Sequence, residues 1–376
     1  MRIALIDCPT TPLELYWQDV YFPDTPFPLS DFLHDEVNEL RHWDFNTEER
    51  PSVQHMVQEL QSFQPVVLGI NDRGSTNGLV LERLIKQIFP RALVFFSPDA
   101  MTPQQLLDKA NLSAYRLRQR TRSVAGKIRF RSSWSDDALF ADLSPEIAPK
   151  ALNMANEYIE KYQLHAWRKY LPVTAFRRVL ETLEILEDCF SPEHSIWQKK
   201  TLQILDIGSA NWTYAPALYQ FFALSHTESP RSVFLTGIEL DPYRLDMEGY
   251  SCVDHALSYV DPIASYSRYL NENVFEHEPK EKYDVVTLFG PYITCEEHLM
   301  GGLPLEYFQP EDLINYANAL HKEQGAFLVT HRCLDVYKKQ QDIFKALEYT
   351  PTIKGRFRSL LTEQCQAFVS LIEKTA

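Results

Sequence analysis

The stretch that decides the fold is Leu202-Gln-Ile-Leu-Asp206-Ile-Gly208-Ser-Ala-Asn211-Trp212. A short apolar run ends on a carboxylate, a turn of small residues follows, and the helical spacing of Tyr214–Phe222 begins just after it. In open α/β sheets ligands sit beyond the carboxyl ends of the strands. A glycine in the turn there lets backbone come close to a ligand. Gly208 suits that approach, and Asp206 can hold a turn amide or a ligand ammonium. Downstream, Val233-Phe-Leu-Thr-Gly237-Ile-Glu239-Leu-Asp241-Pro242 repeats the design. Its apolar strand delivers Glu239 at the tip, where a carboxylate can accept both hydroxyls of a ribose.

Working outward, apolar strands and helical spacings alternate to the C-terminus. Strands are predicted at Leu202–Leu205, Val233–Ile238, Tyr283–Phe289 and Ala326–Thr330, with helices at Pro310–Leu320 and Asp335–Leu347. Asp254–Leu270 reads as mostly helical, broken at Pro262. Arg356–Leu361 and Ala367–Ile372 read as a closing hairpin. Continuous apolar strands between helices indicate a mostly parallel sheet covered on both faces.

These residues resemble class I S-adenosylmethionine-dependent methyltransferases. Leu-Asp206-Ile-Gly208-Ser209-Ala210 and Gly237-Ile-Glu239-Leu-Asp241-Pro242 look like the family's first two motifs. Tyr283–Phe289 and Gly325–Thr330 look like its fourth and fifth strands. The resemblance implies a Rossmann-like, seven-stranded sheet with a terminal antiparallel hairpin, and S-adenosylmethionine as cofactor. It implies that Asp206, Gly208 and Ser209 line the methionine end of that cofactor, with Ala210 also among the cofactor-binding residues. Glu239 would take its ribose, and Phe289-Gly290-Pro291-Tyr292 would border the transferable methyl. The sequence departs from the family pattern in having one glycine in the first turn and 33 positions between Asp206 and Glu239. It also shows no evident third strand ending in an acid, Asp254, Asp261 and Asn273 being the positions available.

Methyl transfer asks mainly for alignment of nucleophile, methyl and sulfur. A general base helps only when the nucleophile arrives protonated. His298, His331 and Glu296 follow the fourth and fifth strands, where such a base would stand, and Tyr292 could wall the pocket. No catalyst is singled out among them, and no spacing of Cys, His, Asp or Glu suggests a metal site. The segment Gly290–Gln309 is long enough for Tyr292–Phe308 to serve as a lid over the methyl-donor site, hinged on Gly301-Gly302.

Ahead of this unit, Arg2–Ile6, Pro65–Ile70 and Ala92–Phe96 read as strands, with helical spacings at Val53–Phe63 and Gly78–Phe89. That order implies a small doubly wound α/β unit over residues 1–110. It resembles the cobalamin-binding type of domain, without the Asp-x-His-x-x-Gly signature, so only the fold is implied. Residues 111–192 read as a basic segment and a helical bridge, and residues 193–376 as the methyltransferase-like domain.

The chain is acidic overall, with a net charge of −14. That disfavours general nucleic-acid binding, which needs clustered Lys and Arg. Tyr115–Arg131 runs against the trend, with seven cations in 17 residues and no acid. Arg116, Arg118, Arg120 and Arg122 alternate, and an extended segment would set all four on one side as a clamp for an anionic acceptor. Six scattered cysteines without a CxxC pair, and an N-terminal apolar run that stops at Asp7, point to a cytoplasmic chain without a membrane span. Two functions fit the sequence. One is methyl transfer to a small-molecule or peptide acceptor. The other is a non-catalytic binding or scaffold protein that keeps a degraded methyltransferase fold.

Overall fold

The computed structural model describes residues 2–6, 39–43, 58–62, 67–71, 93–97, 103–130, 134–246, 248–361 and 366–374. The chain forms two compact units, one of residues 1–120 with 295–308, the other of residues 121–294 with 309–376.

Among the described residues, the first unit holds four parallel strands, β1 (Arg2–Ile6), β2 (Glu39–Trp43), β3 (Val67–Asn71) and β4 (Leu93–Ser97), in the order β2-β1-β3-β4. Residues 58–62 are helical, and the helix predicted at Gly78–Phe89 lies outside the described residues. The sequence reading has no strand at β2. Its Glu-Leu-Arg-His-Trp is too polar to be read as a strand of a parallel sheet, yet it pairs along β1 from Arg2↔Glu39 to Ile6↔Trp43. Helix α1 (Pro103–Thr121) completes this unit with the segment Cys295–Phe308.

The second unit is a seven-stranded sheet of β5 (Thr201–Ile207), β6 (Ser232–Glu239), β7 (Ser267–Asn271), β8 (Tyr283–Phe289), β9 (His321–His331), β10 (Ile353–Arg358) and β11 (Gln366–Glu373). The order is β10-β11-β9-β8-β5-β6-β7, with β5 to β9 parallel and β11 antiparallel to both β9 and β10. This is the Rossmann-like arrangement with a terminal antiparallel hairpin expected above. Chain order reverses between β5 and β8, which opens the crevice where ligands of such sheets bind.

The period-two alternation of the strands divides the core. Leu202 and Ile204 of β5 join one apolar cluster, and Leu205 and Ile207 join the other. The first cluster is built with helices α2 (Ala148–Lys161), α3 (Val173–Cys189) and α4 (Ala215–Leu224). Between β6 and β7 stands α5 (Cys252–Tyr259), and α6 (Cys295–Met300) belongs to the first unit. The second cluster holds α7 (Pro310–Leu320) and α8 (Leu334–Ala346).

Three expectations change. The helices assigned to a separate bridge over residues 111–192 are not separate. From Leu139 to Phe190 their apolar faces share a core with the sheet, whereas residues up to Arg120 belong to the first unit. The third strand exists as β7, within the stretch read as helix up to Leu270. Its Ser-Arg-Tyr-Leu-Asn is a half-exposed edge strand that needs no apolar run, and it ends on Asn271 rather than an acid. The alternating arginines are not on an extended segment. Arg116, Arg118 and Arg120 lie on α1, where about 100° per residue puts Arg118 on the opposite side from the other two. Arg122 follows the helix with φ +46°.

Among the described residues, no helix is long and apolar enough to cross a membrane.

Candidate active site at the carboxyl ends of the central strands

The turn after β5 is built from left-handed backbone. Gly208 has φ +71°, Ala210 +46° and Trp212 +54°. Only glycine adopts such angles freely, so the two non-glycine positions need outside support. Part of it comes from β6, whose Ile238 carbonyl accepts from the amides of Gly208 (2.9 Å) and Ser209 (3.2 Å). Glu239 adds to it, accepting from the Ala210 amide at 2.8 Å through one oxygen and from the Asp241 amide at 2.9 Å through the other. Tyr269 of β7 donates its hydroxyl to the Ala210 carbonyl at 2.6 Å. Trp212 is fully buried against Gly237, where an added Cβ would stand 2.8 Å from its ring and from Ser209 Oγ. One glycine suffices in this turn because neighbouring strands hold the other strained positions.

Asp206 lies beneath the turn with no exposed surface. Thr287 of β8, its register partner, donates to Oδ1 at 2.6 Å, and Tyr214 donates to Oδ2 at 3.0 Å. Burial pushes the Asp206 carboxyl up to about 7, against the pull of these donors. Burial also raises Glu239, with the Asp241 and Ala210 amides working the other way. Tyr214 extends the arrangement toward β8, its ring 4.7 Å from that of Phe289. Gly290 then turns the chain at φ +70° and donates its amide to the Thr330 carbonyl at 2.8 Å.

Above the turn lies an open concavity of about 380 Å³, lined by Ser209–Tyr214, Arg244–Asp246, Arg178 and Cys252. Of the sequence candidates, Ser209 and Ala210 line it. Asp206, Gly208 and Glu239 stand behind and shape it, and Phe289 touches it through Tyr214. Arg244 stays charged there: burial opposes its charge, but Cys252, Tyr292, Glu239 and Asp241 around it more than offset that. Half-buried Tyr292 is thus close to the concavity's wall.

The other candidates do not line the concavity. His298 is a buried residue of α6 in the first unit, its Nε2 donating to the Pro304 carbonyl at 2.9 Å. Glu296, on the same helix, is exposed. His331 is buried at the end of β9, and burial pushes it down to about 4, so it is neutral. Asp254 accepts from Ser251, Ala125 and Gly126, which ties residues 125–126 across the start of α5. Gly301 and Gly302 close α6, with amides bonded to the Glu297 and Leu299 carbonyls, so the glycine pair is a helix end. Their segment is tied along α1 by Asn111, whose Nδ2 donates to the Leu299 and Leu303 carbonyls, and by Asp108, which accepts from the Leu305 amide. Arg116 pairs with Glu306, and Arg118 donates to the Gly302 carbonyl.

Sequence reasoning missed Tyr214, Thr287, Arg178 and Arg244. Tyr214 and Arg244 sit a few residues past the two motifs and could have been noted. Thr287 and Arg178 arrive only through sheet register and helix packing.

No protein-family model and no curated protein matches the chain. Solved structures similar to it include a human methyltransferase 10 domain containing protein, at 14% identity and TM-score 0.39, over 62% of this chain and 100% of that one. A ribosomal protein L11 methylase from Lactobacillus delbrueckii subsp. bulgaricus is similar at 12% identity and TM-score 0.32, over 51% and 77%. A precorrin-6y C5,15-methyltransferase from Geobacter metallireducens is similar at 11% identity and TM-score 0.31, over 48% and 84%. At these values the functional reading rests on the site itself.

Proposed function

We propose that the second unit binds S-adenosylmethionine in the concavity above the Ser209–Tyr214 turn and transfers its methyl to a small-molecule or peptide acceptor. The observation that carries this reading is the pairing of two buried carboxylates, Asp206 and Glu239, at the tips of adjacent parallel strands behind that concavity. The cavity volume falls in the range of roughly 300–1,000 Å³ usual for small-molecule sites. Its lining offers Ser, Asn, Thr, Arg and Asp side chains and a turn backbone held close by β6. Glu239 uses one acceptor position on each oxygen for backbone amides, and a carboxylate has about four in all. That leaves capacity for ribose hydroxyls.

S-adenosylmethionine brings an activated methyl: as the acceptor's lone pair bonds to carbon, the carbon–sulfur bond breaks and its electron pair stays on sulfur. The protein's part is to align and to exclude water. Asp206 and Glu239 hold the turn in shape, and Phe289 against Tyr214 supplies an apolar wall. Arg244 places positive charge on the rim. Calorimetric titration of the full chain with S-adenosylmethionine and S-adenosylhomocysteine tests the proposal.

A second reading, a binding protein on a degraded fold, is favoured by Asn271 standing where the third strand would carry an acid. It predicts no saturable binding of either compound.

A further inference from the structure

The side of the sheet away from β6 carries a second, smaller recess that the turn does not explain. Thr330, His331 and Arg332 at the end of β9, Arg178 and Glu181 of α3, and Ser359 after β10 surround a cavity of about 20 Å³. That is room for one or two water-sized groups. Arg178 lines both this notch and the larger concavity, so the two adjoin.

Two guanidiniums of the notch share one carboxylate oxygen. A single oxygen of Glu181 serves both Arg178, at 3.4 Å, and Arg332, at 3.3 Å, while its other oxygen lies 3.8 Å from Arg177. Asp142 meets Arg177 as well, and among the described residues Glu181 is the ion-pair partner of both Arg178 and Arg332. His331, only 3% exposed, has its Nε2 buried beside the buried Gln340 side chain, and among the described residues neither completes a hydrogen bond. A buried imidazole nitrogen with its hydrogen bond unmade, next to two guanidiniums that share one carboxylate oxygen, is costly unless something completes it.

We infer that this notch receives the carboxylate of a small carboxylic-acid acceptor. Arg332 and Arg178 grip it in the forked manner guanidiniums use for carboxylates, and His331 donates its Nε2 hydrogen. The size of the recess, the neighbouring Glu181 and the carboxylate of Glu184, which accepts from the Ser359 hydroxyl, disfavour the larger, more highly charged phosphate. The location suits an acceptor. The Thr330 carbonyl is bonded to Gly290, next to the strand end where the methyl is expected, and Arg178 leads from the notch to the concavity. The acceptor role rests on the methyl-transfer reading; the carboxylate site itself does not.

The test uses the full chain and sodium acetate, with inorganic phosphate as a separate arm, each titrated with and without S-adenosylhomocysteine. Line broadening of the acetate methyl resonance reports binding. Arg332 is largely exposed, with 59% of its side chain accessible, so Arg332→Gln is the variant expected to fold normally. The expected result is saturable acetate binding, weakened about tenfold or more by Arg332→Gln, as for a lost charged hydrogen bond. His331→Gln, which keeps a donor, should weaken it less than His331→Phe. Absence of acetate binding, indifference to Arg332→Gln, or phosphate binding more tightly than acetate overturns the inference. Acetate binding that depends on Arg332 in a chain that ignores S-adenosylhomocysteine keeps the carboxylate site and removes the methyl-transfer reading.

Discussion

The amide of Ala210 donates to the carboxylate of Glu239 at 2.8 Å, which staples the strained turn after β5 to the tip of β6. Glu239 therefore has a structural duty as well as its proposed ligand duty, and substitutions should reveal both. Glu239→Ala leaves the part-buried Ala210 amide and the buried Asp241 amide without their acceptor, at a cost of about 1–3 kcal/mol. Urea unfolding of the variant measures this. An unchanged midpoint would mean that the turn does not depend on the staple.

Gly237→Ala tests the packing behind the same turn. Its Cβ would meet Ser209 Oγ and the Trp212 ring at 2.8 Å, and neither is the free end of a flexible chain. Overpacking of this kind costs roughly 1–3 kcal/mol. The variant should unfold at lower urea, with the near-ultraviolet signal of Trp212 altered. A variant as stable as the parent would show that the turn can shift.

Much of this arrangement is legible in the sequence, for a physical reason. β5, β6 and β8 are buried on both faces, so they appear as apolar runs, and Asp206 and Glu239 stand out at their ends as polar residues. The edge strands β2 and β7 carry Glu-Leu-Arg-His-Trp and Ser-Arg-Tyr-Leu-Asn and give no such signal. The arginine alternation at Arg116–Arg122 suggests a strand, but good helix formers around it, from Gln104 to Gln119, extend α1 through the first three. Arg178 reaches the site from a helix whose place no local pattern reveals.

Asp206 and His331 should give opposite slopes to stability against pH. The folded Asp206 keeps its proton to about pH 7, while in the unfolded chain it loses it near 3.8. Stability from this group is full below pH 3.8 and falls by about 1.4 kcal/mol per pH unit as pH rises toward 7. The folded His331 titrates at about 4 and the unfolded one near 6.5, so its contribution rises over that interval. Asp206→Asn removes the falling slope. Between pH 4.5 and 6.5 the variant should gain stability relative to the parent, by an amount on the order of 2 kcal/mol. Urea midpoints at the two pH values provide the check, and parallel profiles would contradict the assignment.

Asn111 caps the carbonyl end of α6 with two hydrogen bonds, at 2.7 Å to Leu299 and 3.2 Å to Leu303. Asn111→Ala should release that end and speed proteolysis near Gly301-Gly302, with a stability loss of about 1–2 kcal/mol confined to the first unit. Limited proteolysis followed by mass analysis of the fragments reads this out. Cleavage no faster than in the parent would show that the remaining contacts along α1 suffice.

The central claim is that the concavity over Ser209–Tyr214 holds S-adenosylmethionine, and calorimetric titration with S-adenosylhomocysteine tests it most directly. The parent chain should bind one equivalent saturably, and Glu239→Gln, with its fold verified by urea unfolding, should bind at least about tenfold more weakly through loss of a charged acceptor. No saturable heat from the parent at millimolar ligand, or equal affinity in parent and variant, would contradict it.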